Sequence, residues 1–378
     1  MTKSALAPIG GSLVAAGLLF LSFRRYDIVL LLAALFVAAV VLAAVSRRLR
    51  SAAIVLASVL FALCVAELVI PRLPGNGDGS HRDMTTGYTA GGYFDKTDPV
   101  VGVKARPGSF DSALISDHGE EIYRVVYEIG ADGYRRTPGD DHPTINVFGG
   151  SFVFGEGLNG EQTLPYALAQ ATGRGVKNYG MHGWGLHQPL ALMESGELAK
   201  ADINVILTAP WHGGRSACKP VFSIGTPRYV VRDGHATRDG KCTGLTGYSV
   251  LDRVLDRSSV ARLIRQAVFG GDAITRDDVA LYLALIARIG EVSRERGQRL
   301  IVGFIRATEK DLSGSGYTND EILAAIGRHA DAAIDLTLAA KRELLESGYY
   351  IHRLDQHPSG LANRVRAEKL RPIIDTLQ

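Results

Sequence analysis

Three uncharged apolar stretches within the first seventy residues constrain this chain more than any other feature. Residues 4–23 hold no charge in twenty positions, residues 28–46 none in nineteen, and residues 51–70 only Glu67 in twenty. A helix rises about 1.5 Å per residue, so about 20 apolar residues cross the hydrocarbon of a bilayer. Only Arg24-Arg25-Tyr26-Asp27 and Arg47-Arg48-Leu49-Arg50 separate the stretches. Breaks this short predict helical hairpins, and three transmembrane helices are expected over residues 1–72. A signal sequence would account for the first stretch only if a mature polar chain followed it, and two more apolar stretches follow instead. The helices of a soluble core seldom run uncharged over three such lengths in succession.

Charge divides along the same line. Residues 1–72 carry seven basic and two acidic groups, net +5, while the remaining 306 residues carry 35 basic and 37 acidic groups, net −2. The formal +3 of the whole chain therefore comes from the arginines between the apolar stretches. An acidic remainder argues against a nucleic-acid-binding domain. Lysine and arginine favour the cytoplasmic side. A cytoplasmic N-terminus puts Lys3, Arg47, Arg48 and Arg50 inside and Arg24, Arg25 and Arg72 outside. That bias places everything after residue 70 outside the cytoplasm, on the periplasmic side. Residues 73–92, rich in Pro, Gly and polar side chains near their start, are expected to be a linker, and residues 93–378 one folded domain.

Within that domain short apolar runs alternate with helical patterns. Strands are expected at 145–148, 176–179, 203–208, 300–305 and 349–354. Helices are expected at 163–171, 189–199, 277–296 and 321–347, with a last one from about residue 363. Buried strands separated by helices of ten or more residues predict a parallel α/β sheet. Ligands of such sheets bind beyond the carboxyl ends of the strands, so chemistry is sought there.

The first strand runs into GGSFVFGEGL (149–158). Its paired glycines permit a sharp turn that presents Ser151. The spacing is neither GxGxxG nor a P-loop, and a tight turn capped by a serine is the alternative. The second strand runs into NYGMHGWGLHQ (178–188), whose glycines expose backbone N–H groups able to stabilise an oxyanion. The third is followed by APWHGGR (209–215) and the last by DQHPSG (355–360). An Asp two residues before a His can orient the imidazole, which makes His357 a candidate general base toward Ser151. His182, His187, Asp355 and His357 also admit a metal reading. They lack helical HxxxH spacing with a third ligand, so no metal is expected, and nothing calls for another cofactor.

As a set, these motifs resemble the SGNH/GDSL hydrolase superfamily in its membrane-anchored branch. GGSFVFGEGL stands for the nucleophile block, NYGMHGWGLHQ for the glycine block, and DQHPSGLANRVRAEKL (355–370) for the Asp/His block leading into the C-terminal helix. Residues 98–107 and YEIGADGYRR (127–136) resemble the lead-in of anchored members. The resemblance spans residues 95–378. It implies a three-layer α/β/α sandwich with a mainly parallel sheet, behind three N-terminal transmembrane helices. It also implies a catalytic triad of Ser151, Asp355 and His357, and an oxyanion hole from the N–H groups of Ser151 and Gly183. Two departures stand out. Gly150 occupies the place of the family's Asp, and no Asn follows the third strand, where His212 or Arg215 offers an N–H instead. Cys218 and Cys242 lie 24 residues apart in the extracytoplasmic part and are expected to be bonded, whereas Cys64 lies in the third apolar stretch.

The expected function is a membrane-anchored serine esterase acting on O-acyl, above all O-acetyl, esters of an extracytoplasmic glycan. One alternative is an O-acyltransferase onto an exported polysaccharide, which would need a membrane partner to supply the acyl donor. The others are a non-catalytic glycan-binding module and a lipid-directed esterase.

Overall fold

The computed structural model describes residues 3–25, 27–70, 88–89, 96–116, 119–137, 140–243, 251, 255, 258–261, 263–264, 273–338 and 347–377. The chain divides into two compact units, Met1–Arg82 with Thr243–Gly271, and Asp83–Cys242 with Asp272–Gln378. The second unit is thus interrupted in sequence by residues that group with the N-terminal helices. Most of the expected linker lies outside the described residues.

The first unit contains helices α1 (Lys3–Arg25), α2 (Ile28–Val45) and α3 (Arg50–Val69). Asp27 starts α2 by accepting hydrogen bonds from the N–H groups of Val29 and Leu30, the usual means of satisfying the orphan donors of a first turn. Helices α2 and α3 are long and apolar enough to cross a bilayer, while the apolar part of α1 among the described residues runs only Pro8–Arg24. Two spanning-length helices are therefore seen where three were expected. Glu67, the one charge in the third apolar stretch, is buried within this unit. It accepts from the backbone N–H groups of Ser259 at 2.6 Å and Val260 at 3.2 Å and from the Ser258 hydroxyl.

The second unit is built on five parallel strands: β1 (Ile145–Gly149), β2 (Val176–Gly180), β3 (Ile203–Thr208), β4 (Arg299–Phe304) and β5 (Ala332–Asp335). They lie in the order β5-β4-β3-β1-β2. Side chains alternate between the faces of a strand, and two cores follow from that. Ile145, Val147, Val205, Leu207 and Ile301 pack with Leu164, Leu168, Leu370 and Ile374, from helices Leu164–Thr172 and Gly360–Thr376. Phe148, Ile206, Val302 and Phe304 pack with Leu190, Val279, Tyr282 and Ile286, from helices His187–Ser195 and Arg276–Glu295. The result is the expected helix–sheet–helix sandwich.

Local signals fix the helices. At the long Arg276–Glu295 helix, Thr275 and Asp278 cap each other's backbone N–H groups reciprocally, a capping box. Thr163 caps Leu164–Thr172, which ends at Gly173 in the left-handed region, φ +67°.

Two elements differ from expectation. Residues 321–347 are not one helix: Asn319–Gly327 is helical, and β5 then pairs with β4 from Ile301–Ala332 to Phe304–Asp335. Ala-Ala-Ile-Asp is too short to show a strand period, and pairing with β4 decides its conformation. The expected last strand is instead an antiparallel hairpin, Tyr350–His352 with Asp355–Pro358, outside the parallel sheet. An antiparallel pair, Gly108–Ile115 with Glu121–Ile129, precedes the sheet.

Cys218 and Cys242 are bonded, with Cα atoms 5.4 Å apart, and Cys64 is free. Closing a loop of this length removes denatured-chain entropy worth about 3 kcal/mol. Replacing both cysteines by serine is expected to lower the thermal midpoint by about 6–12 °C, as reducing agent would in the wild type. An unchanged midpoint by calorimetry would show that the crosslink constrains nothing.

Candidate active site

Strand β1 delivers the site. Gly149 lies so close beneath the following turn that an added Cβ would fall 2.6 Å from Val153 Cγ2 and 2.9 Å from the Leu207 carbonyl. Ser151 begins the short helix Ser151–Phe154 and is nearly buried, 9% exposed. The hairpin brings His357 to it: Nε2 stands 2.9 Å from Ser151 Oγ. On the other side of the ring, Nδ1 stands 2.6 Å from Asp355 Oδ1. The same carboxylate oxygen accepts the His357 backbone N–H at 2.9 Å. That double contact explains the spacing, because an Asp two residues ahead can bind both the backbone and the ring of the His. The Phe152 ring packs edge-on against the imidazole, with centroids 5.6 Å apart. Burial alone would lower the proton affinity of His357. Its bond to Asp355 and the nearby Glu156 charge overcome that, Arg215 opposes them, and the net direction is above the usual histidine range.

The residues after β3 line the opposite wall. An added Cβ at Gly150 would meet Arg215 Nη1 at 3.1 Å and His212 Nε2 at 3.6 Å. Gly150, having no side chain, thus admits both side chains beside Ser151. His212 is buried, and Thr208 Oγ1 lies 3.0 Å from its Nδ1. Burial, reinforced by Arg215 and His187, drives its proton affinity well below the usual histidine range, so the ring is neutral. Arg215 donates to the Trp184 carbonyl at 3.3 Å, and burial lowers it to about 10 despite the Glu156 charge. Gly183 has φ +70° and abuts the Phe222 ring, where an added Cβ would fall at 2.9 Å.

Of the residues of the metal reading, His187 stands apart, while His182 and His357 share the Glu156 carboxylate. His187 is buried with both ring nitrogens 3.1 Å from hydroxyls, those of Ser216 and Thr226, and burial pushes it down to about 3. It is a packing residue. His182 Nδ1 instead meets Glu156 Oε2 at 2.5 Å. Among the described residues no three His, Cys, Asp or Glu side chains are grouped to hold a metal.

Two residues escaped sequence reasoning. Glu156, inside the nucleophile motif, approaches His357 Nε2 at 3.2 Å. Arg135, inside YEIGADGYRR, is buried and donates to the carbonyls of Phe154 at 3.0 Å, Gly155 at 2.6 Å and Leu158 at 2.5 Å. It ties down the loop behind the serine.

A cavity of about 20 Å³ beside Ser151 is lined by Phe152, Leu207, Ala209, Trp211, His212 and Ile305, among others.

No family profile and no curated protein matches the sequence. Solved structures with a similar chain path include three of low identity. One is a Desulfitobacterium hafniense DCB-2 protein assigned to the lipolytic G-D-S-L family, 15% identical over 61% of this chain and 99% of that one, TM-score 0.37. Another is an acetyl xylan esterase from the rumen bacterium Butyrivibrio proteoclasticus, 12% identical over 65% and 66%, TM-score 0.35. The third is a carbohydrate esterase family 2 enzyme with a carbohydrate-binding domain from Corynascus thermopiles (Myceliophthora fergusii), 12% identical over 70% of each chain, TM-score 0.35.

Proposed function

We propose that this chain is a membrane-anchored serine esterase of the SGNH/GDSL type that removes short acyl groups, acetyl above all, from an extracytoplasmic glycan. The observation that carries the reading is the continuous chain from Asp355 Oδ1 through the His357 ring to Ser151 Oγ, at 2.6 and 2.9 Å. Such a chain makes a serine nucleophilic. Ser151 Oγ bonds to the ester carbonyl carbon while its proton passes to His357 Nε2 and the carbonyl electron pair moves onto oxygen. Collapse breaks the bond to the leaving alcohol, which takes the proton back from His357. Water then repeats the sequence on the acyl-enzyme, releasing the acid and Ser151.

The oxyanion receives the N–H groups of Ser151 and Gly183 and a third donor from the wall after β3. His212 suits that place better than Arg215. It is neutral, and in the tautomer whose Nδ1 accepts from the Thr208 hydroxyl the proton is on Nε2, the nitrogen facing Gly150. We count α1 as a span beside α2 and α3 on its twenty uncharged residues 4–23, with the N-terminus cytoplasmic. The charge bias and the disulfide support an extracytoplasmic α/β unit. An O-acyltransferase would use the same acyl-enzyme, resolved by a polysaccharide hydroxyl and reloaded by a membrane donor protein.

The small cavity supports the short acyl group. Among 4-nitrophenyl esters, acetate is expected to be the fastest for the full-length protein in detergent. Each lengthening past the cavity should cost about tenfold or more in kcat/KM. Equal or faster cleavage of octanoate would instead favour a lipid-directed esterase.

A further inference from the structure

We propose, resting on the esterase reading of Ser151 and His357, that Glu156 is a second carboxylate partner of the general base. As a positioning residue, it balances the charge that the His357 ring acquires when it takes the serine proton, and it holds the protonated ring in place. The geometry carries this. One oxygen, Oε2 of Glu156, lies 3.2 Å from His357 Nε2 and 2.5 Å from His182 Nδ1. The same Nε2 faces Ser151 Oγ at 2.9 Å. While His357 is neutral, with its proton on Nδ1 toward Asp355, the Nε2 lone pair can accept the serine O–H but repels a carboxylate. Once Nε2 carries the proton, its N–H can be shared between Oγ and Oε2. The contact is attractive only after proton transfer, and an interaction stronger beyond the ground state accelerates the step.

The carboxylate is ionised and fixed in place. Burial alone would raise its proton affinity, but His182, His357 and Arg215 hold it down at about 2. Its backbone N–H donates to the Ser151 carbonyl at 3.1 Å. Flanking Gly155 and Gly157 have φ of +82° and +71°, and an added Cβ would strike Thr163 Cγ2 at 2.4 Å or Ile351 Cδ1 at 2.7 Å. The loop therefore has little freedom to carry Glu156 away.

The charged and titratable groups around His357 come from five places. Asp355 lies on its own hairpin, Glu156 follows the nucleophile helix, and Arg215 lies on helix His212–Ser216. His182 follows β2 and reaches the ring through Glu156, and Tyr123 of strand Glu121–Ile129 lies near both carboxylates. Only the neutral ring works as base, so each anionic neighbour moves the acid limb of the pH–rate profile upward, and Arg215 moves it downward.

The test compares wild type, Glu156→Gln and Glu156→Asp, full length in detergent, by two readouts. One is kcat/KM for 4-nitrophenyl acetate against pH, and the other is the NMR titration of His357. In Glu156→Gln the His357 midpoint and the acid limb are expected to fall together by about one pH unit, and the alkaline plateau to drop about tenfold. Glu156→Asp should recover part of both. A lowered plateau with midpoint and limb unmoved would overturn the proposal and leave Glu156 a structural residue. If the wild type cleaves no ester, the esterase reading fails, while the His357 titration still decides the role of Glu156.

Discussion

Ser151→Ala is expected to lower the hydrolysis of a short acetyl ester by about 10⁴-fold or more, and His357→Ala to do the same. The two losses do not multiply. Removing either member disables the same proton transfer, so the double variant is expected to be no slower than either single one. The expectation rests on the 2.9 Å contact between His357 Nε2 and Ser151 Oγ and on the ring's anchoring by Asp355 at 2.6 Å. Residual rates would report the oxyanion donors, which remain in both variants. Equal rates in wild type and Ser151→Ala, measured on the same preparation, would remove Ser151 as nucleophile.

Arg135→Ala is the second large effect, and it falls on stability. The guanidinium is 1% exposed and lies 4.7 Å from the Tyr127 ring centroid and 5.2 Å from that of Phe154. Its donors reach the carbonyls of Phe154, Gly155 and Leu158. Truncation opens a cavity and takes the Arg135 donor from the Phe154 and Leu158 carbonyls, while the Gly155 carbonyl keeps the Leu158 N–H at 3.2 Å. Each unmet buried group costs about 1–3 kcal/mol. The expected loss is about 3–5 kcal/mol, the cavity and the lost hydrogen bonds taken together. It should appear as a lower thermal midpoint, with activity falling too because the loop carries Glu156. Arg135→Lys is expected to recover only part, since a single ammonium lacks the planar fork that meets several carbonyls at once. A midpoint within a degree of wild type for Arg135→Ala would contradict this account.

Much of the fold was legible because of what burial does to a strand. With both faces covered, β1, β3 and β4 read as largely apolar runs, β2 (Val-Lys-Asn-Tyr-Gly) as a short run closed by glycine, and the observed limits of all four lie within a residue of the expected ones. Strand β5 was hidden inside a helical pattern, since four residues cannot display a period and only pairing with β4 makes them extended. The strand at 121–129 carries a weaker signal, a near-alternation in Glu-Ile-Tyr-Arg-Val-Val-Tyr-Glu-Ile that matches its alternating burial.

The site shows the same division. Ser151, Asp355 and His357 were legible because a turn of glycines and a two-residue Asp-to-His spacing are local devices. The hairpin that joins them was not, because its placement against β1 is a long-range matter. Glu156 between two glycines looks like any solvated loop acid until His182 and His357 are placed around it. Arg135 looks like a surface arginine until the carbonyls of the nucleophile loop are seen to converge on it.

The account's central claim is that Ser151 becomes a nucleophile through His357. Its most direct measurement is covalent labelling of the full-length protein by a serine-directed fluorophosphonate, with the adduct mapped by mass spectrometry. A stoichiometric adduct on Ser151, lost in His357→Ala although the variant keeps the wild-type melting profile, is the predicted result. No adduct, an adduct on another serine, or labelling of Ser151 undiminished without His357 would contradict it.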